Sequence, residues 1–400
     1  MNKHKYYDYV VIGAGIVGLS IAKELTEQFK DASILVIEKE AHVGCHASGR
    51  NSGVLHSGIY YPSHSYKAKV CITGSKLMAN YCRENGLAIR EVGKVIVPVE
   101  ESEDLQLDYL YKQGIDNGVN VEMVDKKQLF DIECNARTAS NRALFIRDVS
   151  VVDSNSILNH LVSHLVSCKV NLAFDSIYKI IDLGRSLLKV NSKTIKYGFL
   201  FNAAGQHADK VAHSFGAGEN YTMIPFRGSY YKLNPSSQLD LKRLIYPVPD
   251  LNMPFLGVHT LTNIHGDTYF GPSAIPAFGR EHYSWLKGIR LFQGIGTLMR
   301  LSRMYLQDKN IRYYMNKEAT ILNKKQFLKS VKRIVPSVSS ENLLASDKVG
   351  IRAQLFNKKA NRLEMDFVVE NIGNSVHVLN AVSPAFTSAF SMAKDIVLRS

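Results

Sequence analysis

The sequence predicts an α/β (α+β) fold in which a Rossmann-type nucleotide-binding domain is interleaved with a domain built on an antiparallel sheet. Three observations support this prediction. A strand–turn–helix–strand unit opens the chain, a second apolar run ends in small residues near position 205, and aromatic-rich alternating segments lie between positions 229 and 270.

The opening strand is the apolar run Tyr9–Ile12, and the glycine motif GAGIVG follows it directly. Gly13, Gly15 and Gly18 have the spacing G-x-G-x-x-G. The first glycine permits a tight turn, the second lets the backbone approach a pyrophosphate, and the third lets the helix pack against the strand. The motif alone also suits a glycine-rich turn that serves packing.

The residues after the motif make the nucleotide interpretation specific. Leu19–Phe29 repeats apolar positions at helical period, and Ser33–Ile37 is a second buried strand that ends at Glu38. A carboxylate at that strand end can accept hydrogen bonds from an adenosine ribose. The helix N-terminus supplies N–H groups and the positive end of its dipole to the phosphates.

Two later segments favour a flavin nucleotide over a nicotinamide one. The loop CHASGRNSGVLHSGIYYP (45–62) is rich in small and polar residues, and the apolar run 198–204 ends in NAAGQHAD. Small residues at a strand end permit close approach to a bound nucleotide. A chain that returns to its nucleotide is typical of FAD proteins.

The chain resembles the L-2-hydroxyglutarate dehydrogenase/oxidase family of the D-amino-acid-oxidase-like superfamily. Besides GAGIVG with Glu38, the resemblance is carried by RNSGVLHSGIYYPSHSYKAKVC (50–71), PFRGSYY (225–231), YPVPDLNMPFLGVH (246–259), GPSAIPAFGRE (271–281), GIRAQ (350–354) and HVLNAVSPAFTSA (377–389). It implies noncovalent FAD, oxidation of L-2-hydroxyglutarate to 2-oxoglutarate, and transfer of electrons to a quinone or another acceptor.

The chain departs from this family pattern at Arg50, Gly279, Val382 and Phe386, so the exact substrate stays open. Two alternatives remain. One is an amino-acid or amine oxidase of the same superfamily, and the other is a flavin-containing RNA-modifying protein.

These segments predict a discontinuous cofactor domain, residues 1–85, 144–216 and 346–400, with a helix over Ser154–Val166. Residues 86–143 and 217–345 form the substrate domain. Strands are expected at Ser229–Leu233, Pro254–Thr262 and Thr268–Phe270, the last two joined across Gly266 and Asp267.

Oxidation of a 2-hydroxy acid requires a base near the hydroxyl, and histidine suits this role near neutral pH. His56 is the predicted base because its loop leads away from the nucleotide strand. His259 is the second candidate, as a base or a hydrogen-bond donor. His377 is a candidate for polarising the substrate carbonyl. Each histidine also suits a buried packing role.

A dicarboxylate substrate requires cationic partners, since an unpaired buried carboxylate is costly. Arg352 is the leading candidate, and Arg227 could reach substrate or flavin or form an ordinary ion pair. The further substrate-binding candidates follow the His56 loop and are Tyr60, Tyr61 and Lys67.

The last helix is predicted to begin with Ser383 as N-cap and Pro384 at its first position. Its N-terminus could stabilise an anionic reduced flavin, or the helix could serve packing alone. The predicted cofactor-binding residues are Gly13, Gly15, Gly18, Glu38, Lys39, Ser48, Arg50, Asn51, Ser52, Ala204, Gly205, Gly350, Ser383 and Pro384.

The 400 residues carry 49 Lys and Arg against 36 Asp and Glu, a net charge of +13. Glu281–Ile334 contributes +9 of this, with 12 basic and three acidic residues among aromatic ones. Such a segment suits a peripheral contact with anionic membrane, or a solvated basic face; RNA is a third option without a recognised module. Five scattered cysteines predict free thiols and no metal site. The short N-terminal stretch predicts a cytoplasmic protein, peripheral at most on the inner membrane.

Overall fold

A computed structural model describes residues 4–251, 255–284 and 291–400. The chain divides into two compact units. Unit 1 comprises the residues up to Asn51, together with Ser154–Ile224 and Arg352–Ser400. Unit 2 comprises Ser52–Asp153 and Pro225–Ile351.

The secondary structure of the described residues mixes helices and strands along the whole chain. The α-helices are α1 (Ile16–Gln28), α2 (Tyr66–Glu84), α3 (Asp104–Asp116), α4 (Lys126–Ile132), α5 (Ser154–Ser167), α6 (Ala208–Ser214), α7 (Leu291–Gln307), α8 (Lys309–Thr320), α9 (Lys324–Ile334) and α10 (Ala385–Val397). Short 3₁₀ turns occupy Glu101–Glu103 and Gly205–His207. The first twelve strands are β1 (Lys5–Ile12), β2 (Ile34–Ile37), β3 (Val54–Leu55), β4 (Ile89–Glu91), β5 (Lys94–Val97), β6 (Val121–Asp125), β7 (Arg142–Ile146), β8 (Ser150–Val152), β9 (Asn171–Ala173), β10 (Tyr178–Asp182), β11 (Leu187–Val190) and β12 (Lys193–Asn202). The later strands are β13 (Tyr221–Leu233), β14 (Leu244–Pro247), β15 (His259–Thr262), β16 (Thr268–Gly271), β17 (Ile275–Pro276), β18 (Leu343–Asn357), β19 (Arg362–Leu363), β20 (Val369–Ile372) and β21 (Ser375–Val378).

Unit 1 is built on a sheet of order β10-β11-β12-β1-β2-β9, with β21 paired to β12 and β20 paired to β21. Strand β1 runs parallel to both β2 and β12, with Ile12 opposite Ile37 on one side and Asn202 on the other. The carboxyl ends of these three strands therefore meet at one edge. Helix α1 covers the sheet and packs against α5 and α10.

Unit 2 contains a four-stranded sheet of order β14-β5-β7-β6 that is buried on both faces. Successive residues of a strand point to opposite faces. Val95 and Val97 pack on one face with Phe327 and Val331 of α9. Ile96 packs on the other face in a cluster that includes Leu107 and Leu110 of α3. A second sheet contains β15, β16, β13 and β18, and a third has the order β3-β8-β4.

The mixed α/β architecture with separate sheets confirms the predicted fold class. Strand β1, helix α1 and strand β2 form where the glycine motif predicts them, and α5 covers the predicted helix at 154–166. Strands β15 and β16 pair antiparallel, with Thr262 opposite Thr268 across the predicted turn.

Three expectations require correction. Residues 52–85 and 144–153 lie in unit 2, because β3 and β4 pair with β8 and because β7 pairs with β5 and β6. The later bounds also shift, since residues 217–224 belong to unit 1 and residues 346–351 to unit 2. The strand expected at Pro254–Thr262 begins at His259, while residues 252–254 lie outside the described residues. Helix α10 begins at Ala385 rather than Pro384: Pro384 is the cap, since its carbonyl accepts the Ser388 N–H.

Among the helices that the structure describes, none is long and apolar enough to cross a membrane. The basic segment forms α7, α8 and α9, and its residues 285–290, including Trp285, lie outside the described part of the chain.

Candidate functional site

Unit 1 presents a glycine turn at the edge where β1, β2 and β12 end. Gly13 has φ +103°, and a Cβ atom there would lie 2.6 Å from the Ala203 carbonyl oxygen. A Cβ atom at Gly18 would lie 1.9 Å from the Gly13 carbonyl oxygen. Both positions therefore require glycine, as the predicted roles of these residues demand.

The turn is fixed to its neighbouring strands by backbone and carboxylate hydrogen bonds. The Gly13 N–H donates to the Ile37 carbonyl at 2.8 Å. One oxygen of Glu38 accepts the Ala14 N–H at 2.8 Å, and the other accepts the Glu40 N–H at 3.0 Å. Glu38 is half-buried at the predicted strand end, where its remaining lone pairs can accept hydrogen bonds from ribose hydroxyls.

The segment after β2 folds back over the start of helix α1. The Ser48 hydroxyl accepts the Ile16 N–H at 3.0 Å, and a Cβ atom at Gly15 would lie 3.0 Å from the same oxygen. The Asn51 amide donates to the Ser48 carbonyl at 2.6 Å and accepts from the Ser154 hydroxyl at 2.7 Å. Ser48 therefore lies at the helix N-terminus, where a pyrophosphate would be expected.

Lys39 belongs to a polar chain that the sequence did not reveal. Its ammonium forms an ion pair with Glu40 and lies 2.9 Å from the His46 ring, which contacts Glu40 at 2.8 Å. The Gln206 amide lies 3.1 Å from the other His46 nitrogen. The hydrogen bond from Lys39, with lesser help from His46, holds the pKa of Glu40 below its usual range. Spacing gave no signal for this cluster, because Gln206 follows a distant strand.

The other cofactor candidates of unit 1 have backbone roles or exposed positions. The Arg50 guanidinium donates to the Cys45 carbonyl at 2.8 Å and is exposed. The Ala204 N–H donates to the Asn202 side chain at 3.2 Å. Gly205 has φ +53°, and a Cβ atom there would meet no atom within 4 Å, so the space above it is open.

The four remaining candidates for cofactor binding are divided between the two units. Ser383 is exposed and Pro384 is buried, both in unit 1 before α10. Ser52 and Gly350 lie in unit 2, outside the nucleotide fold itself. The Ser52 hydroxyl accepts the Val54 N–H at 3.3 Å.

His377 is fully buried on strand β21. Its Nδ1 lies 3.1 Å from the Asn202 amide, and its Nε2 lies 3.0 Å from the Ser375 hydroxyl. Burial lowers the pKa of its imidazole to about 4, so the ring is neutral at physiological pH. Both ring nitrogens are thus engaged inside unit 1, which favours the packing role over contact with substrate.

In unit 2, the segment bearing His56 is fastened along its backbone. The His56 carbonyl accepts from the Cys71 thiol at 3.5 Å, and the Gln113 amide donates to the Ile59 carbonyl at 2.7 Å. The Asn117 amide donates to the Tyr61 carbonyl at 2.8 Å. A half-buried histidine on a segment with this many anchors is suited to a role that requires fixed geometry.

Tyr61 and Lys67 lie together at the start of helix α2. The Ser65 hydroxyl caps that helix by accepting the Ala68 N–H at 3.1 Å. The Lys67 ammonium lies 5.6 Å from the centre of the Tyr61 ring, and Lys67 is buried.

His259 lies beside an aromatic and cationic cluster in unit 2 that sequence analysis only partly anticipated. Its ring stacks on Tyr246, with centres 4.1 Å apart, and its Nδ1 lies 2.7 Å from the Gly257 carbonyl. The Lys94 ammonium lies 4.5 Å from the centre of the Tyr60 ring and 5.1 Å from that of Tyr246. Lys94 was missed. The available signal was a lysine directly before the apolar run 95–97.

The two arginine candidates lie in different units. Arg227 is half-buried on β13, where its guanidinium donates to the Tyr283 carbonyl at 3.4 Å, and burial lowers its pKa. Arg352 is half-buried on the part of β18 that belongs to unit 1.

Known proteins similar to this chain are consistent with a nucleotide-binding site at the glycine turn. The profile of the family "FAD dependent oxidoreductase" matches residues 8–399. The chain is 34% identical to "L-2-hydroxyglutarate dehydrogenase, mitochondrial" of Nematostella vectensis, over 99% of this chain and 91% of that protein. It is 32% identical to the protein of the same name from Dictyostelium discoideum, over 98% and 92%.

A solved structure with the same fold is L-alpha-glycerophosphate oxidase from Mycoplasma pneumoniae with FAD bound. Its TM-score is 0.77 at 22% identity, over 99% of this chain and 95% of that one. The family match over nearly the whole chain, the glycine turn and Glu38 lead to one conclusion. The chain belongs to the family of FAD-dependent oxidoreductases.

Proposed function

We propose that this protein uses FAD to oxidise L-2-hydroxyglutarate to 2-oxoglutarate. The observation that carries the proposal is identity of 34% and 32%, over nearly the full length of both chains, to proteins named L-2-hydroxyglutarate dehydrogenase. The nucleotide turn of unit 1 supplies the independent physical support, because it fits the cofactor that the family uses.

The residues of unit 1 fit a dinucleotide. Gly15 caps α1 without a side chain, and beyond the Ile16 N–H, which the Ser48 hydroxyl accepts, the first helical turn presents its next N–H groups to a pyrophosphate. Glu38 would accept hydrogen bonds from the ribose, and Ser48 would lie beside the phosphates. The open space over Gly205 and the small Ala204 would admit the nucleotide where β12 ends.

Bound FAD supplies a two-electron acceptor for the hydride that leaves C2 of the substrate. The chain must then take the hydroxyl proton and bind both carboxylates. His56 is the proposed base, and His259 is the second candidate. Arg352 and Arg227 are the proposed cationic partners, because guanidinium pairs with carboxylate in a bidentate geometry.

The test is anaerobic reduction of the flavin in the purified holoenzyme. L-2-hydroxyglutarate should bleach the oxidised flavin absorbance within one turnover, whereas D-2-hydroxyglutarate should leave it unchanged. Persistent oxidised absorbance after long incubation with the L-enantiomer would reject the substrate. Reduction by L-amino acids instead would support the amino-acid oxidase alternative.

A second proposal concerns the acceptor side: α7 places the protein on an anionic membrane surface, where a quinone could accept the electrons. Its apolar residues Phe292, Ile295, Met299 and Leu306 are exposed, Phe292 at 92%. Their spacing of three, four and seven residues puts them on one helical face. Exposed Arg303 lies beside this face and lines a groove together with Ile295, Met299 and Leu306. A cation beside apolar side chains suits anionic headgroups.

This membrane proposal is tested by sedimentation with phosphatidylglycerol vesicles and with phosphatidylcholine vesicles. Binding to the former alone, abolished in Phe292→Glu with unchanged flavin content, would support it. Equal recovery in the supernatant with both kinds of vesicle would reject it.

A further inference from the structure

Lys94 is a buried lysine at the first position of β5, a strand paired on both sides. Its backbone lies opposite Leu244 of β14 and Ile146 of β7. Side chains two residues apart point to the same face, so Lys94 shares the face of Ile96 and, across the strand pair, of Tyr246. Only 1% of the surface of Lys94 is exposed.

This face of the sheet is an apolar environment. The cluster that covers it is composed of aliphatic side chains and Tyr246, among them Ile59, Leu144 and Ile146. Within the described ranges, Lys94 forms no ion pair with a carboxylate. Its ammonium faces the rings of Tyr60 and Tyr246, and the buried Cys71 thiol of α2 is the titratable group that acts on its charge. A buried ammonium without an anion is costly, and aromatic rings offset only part of that cost.

Tyr60, whose ring the Lys94 ammonium faces, provides a second unsatisfied group. Its hydroxyl is buried and, among the residues that the structure describes, has no hydrogen-bond partner. Buried hydroxyls are normally bonded, so this one indicates a partner that the chain does not provide. Burial raises the pKa of Tyr60 well above its usual range, so its hydroxyl remains a donor.

We propose that the Lys94 ammonium and the Tyr60 hydroxyl bind the C5 carboxylate of the substrate and thereby select a dicarboxylate. The inference rests on the proposed function. The C5 carboxylate is joined to the reacting carbon through two methylenes, which suit the aliphatic and aromatic surroundings of Lys94. The C1 carboxylate, in contrast, adjoins the reacting hydroxyl and must lie near a base, so the apolar surroundings of Lys94 suit the C5 carboxylate better.

The test compares two substrates in anaerobic flavin reduction: L-2-hydroxyglutarate, and L-2-hydroxybutyrate, which lacks the second carboxylate. Lys94→Met should raise the half-saturating concentration of hydroxyglutarate by at least about tenfold, as expected for a charge-assisted hydrogen bond. Its effect on hydroxybutyrate should be less than about twofold. The matched control is Lys76→Met, an exposed lysine of the same unit. Equal loss with both substrates, or no loss with either, would overturn the inference.

A binding measurement separates this inference from the proposed function. Glutarate has both carboxylates but no hydroxyl to oxidise, so its effect on the oxidised flavin spectrum reports binding alone. Glutarate should bind wild-type holoenzyme and bind Lys94→Met at least about tenfold more weakly, while butyrate should not distinguish them. If hydroxyglutarate fails to reduce the flavin but this pattern holds, the proposed substrate is wrong and the carboxylate site stands. If glutarate binds both proteins equally, the site is wrong.

The pH dependence provides a readout that a packing role would not change. Burial lowers the pKa of the free Lys94 ammonium to about 7, so glutarate binding must be accompanied by proton uptake above that pH. The dissociation constant should therefore rise up to about tenfold per pH unit above 7. Lys94→Arg, which keeps its charge, should abolish this rise, and a rise retained in that variant would contradict the proposal.

Discussion

Removing the charge at Lys94 should stabilise the protein while it impairs dicarboxylate binding. The ammonium is fully buried, and burial lowers its pKa from 10.5 to about 7. Since the folded-state pKa is the lower one, the unfolded chain binds more protons between these values. The cost to folding is therefore complete below pH 7 and disappears as the pH rises through 10.5.

The magnitude follows from the difference between the two pKa values. At pH 7 the cost is about 4 kcal/mol, and at pH 9.5 it is about 1 kcal/mol. Lys94→Met removes this cost but leaves a small void where the end of the lysine side chain lay, worth about 1–3 kcal/mol. The net gain at pH 7 is then about 1–3 kcal/mol, whereas at pH 9.5 the variant should match or fall below wild type.

The assay is urea unfolding of holoenzyme at pH 7 and pH 9.5, with Lys76→Met as the exposed control. The packing loss is the same at both pH values. The difference in free energy of unfolding between wild type and Lys94→Met should therefore change by about 3 kcal/mol between them, and this change reports the ionisation of Lys94 alone. The control should show a difference close to zero at each pH. A Lys94→Met difference that does not change with pH would refute the premise that a buried, unpaired ammonium is present.

Three other predictions test unit 1 and the proposed base. Gly18→Ala should abolish FAD binding or folding, because its Cβ atom would lie 1.9 Å from a backbone oxygen, whereas Gly184→Ala, with no backbone atom in reach, should retain the flavin absorbance. His56→Ala should slow flavin reduction about 10²- to 10⁴-fold with unchanged flavin content, and an unchanged rate would remove its assignment as base. His377 should lower the free energy of unfolding by up to about 3 kcal/mol as the pH drops from 6.5 to 4, because burial depresses its pKa and the unfolded chain takes up the proton. The fall measured over this range should be smaller by that amount in His377→Gln, and an equal fall in the variant would assign it to other groups, such as the Glu40 carboxylate.

The nucleotide unit could be predicted from sequence because its constraints are local. A side chain at Gly13 or Gly18 would clash with atoms of the turn or of the adjoining strand end. These clashes fix glycines at a short, constant spacing that can be recognised in the sequence. Glu38 was predictable for a related reason, since it ends the strand next to the turn. His46 and Gln206 were not, because they meet only after strand β12 pairs with β1.

The position of Ser383 shows how a local rule fails. The serine-proline pair is a common helix start, yet the Pro384 carbonyl is the first acceptor of α10 and Ser383 lies outside the helix. The same limit applies to residues 52–85, which continue the cofactor loop in sequence. Their strand pairs with β8 from a distant part of the chain, and sequence periodicity carries no information about that pairing.

Lys94 is the most instructive omission, because its sequence context favoured dismissal. A lysine beside an apolar run usually extends to solvent along its aliphatic stem. Here the strand is central, with a neighbour on each side and a packed cluster above, so the ammonium stays inside. A buried ammonium that has no carboxylate of the protein as its partner is suited to bind a carboxylate of the substrate. The unpaired ammonium lowers the stability of the protein before substrate binds. A dicarboxylate would supply the missing partner and a monocarboxylate would not, so the same ammonium would favour the dicarboxylate.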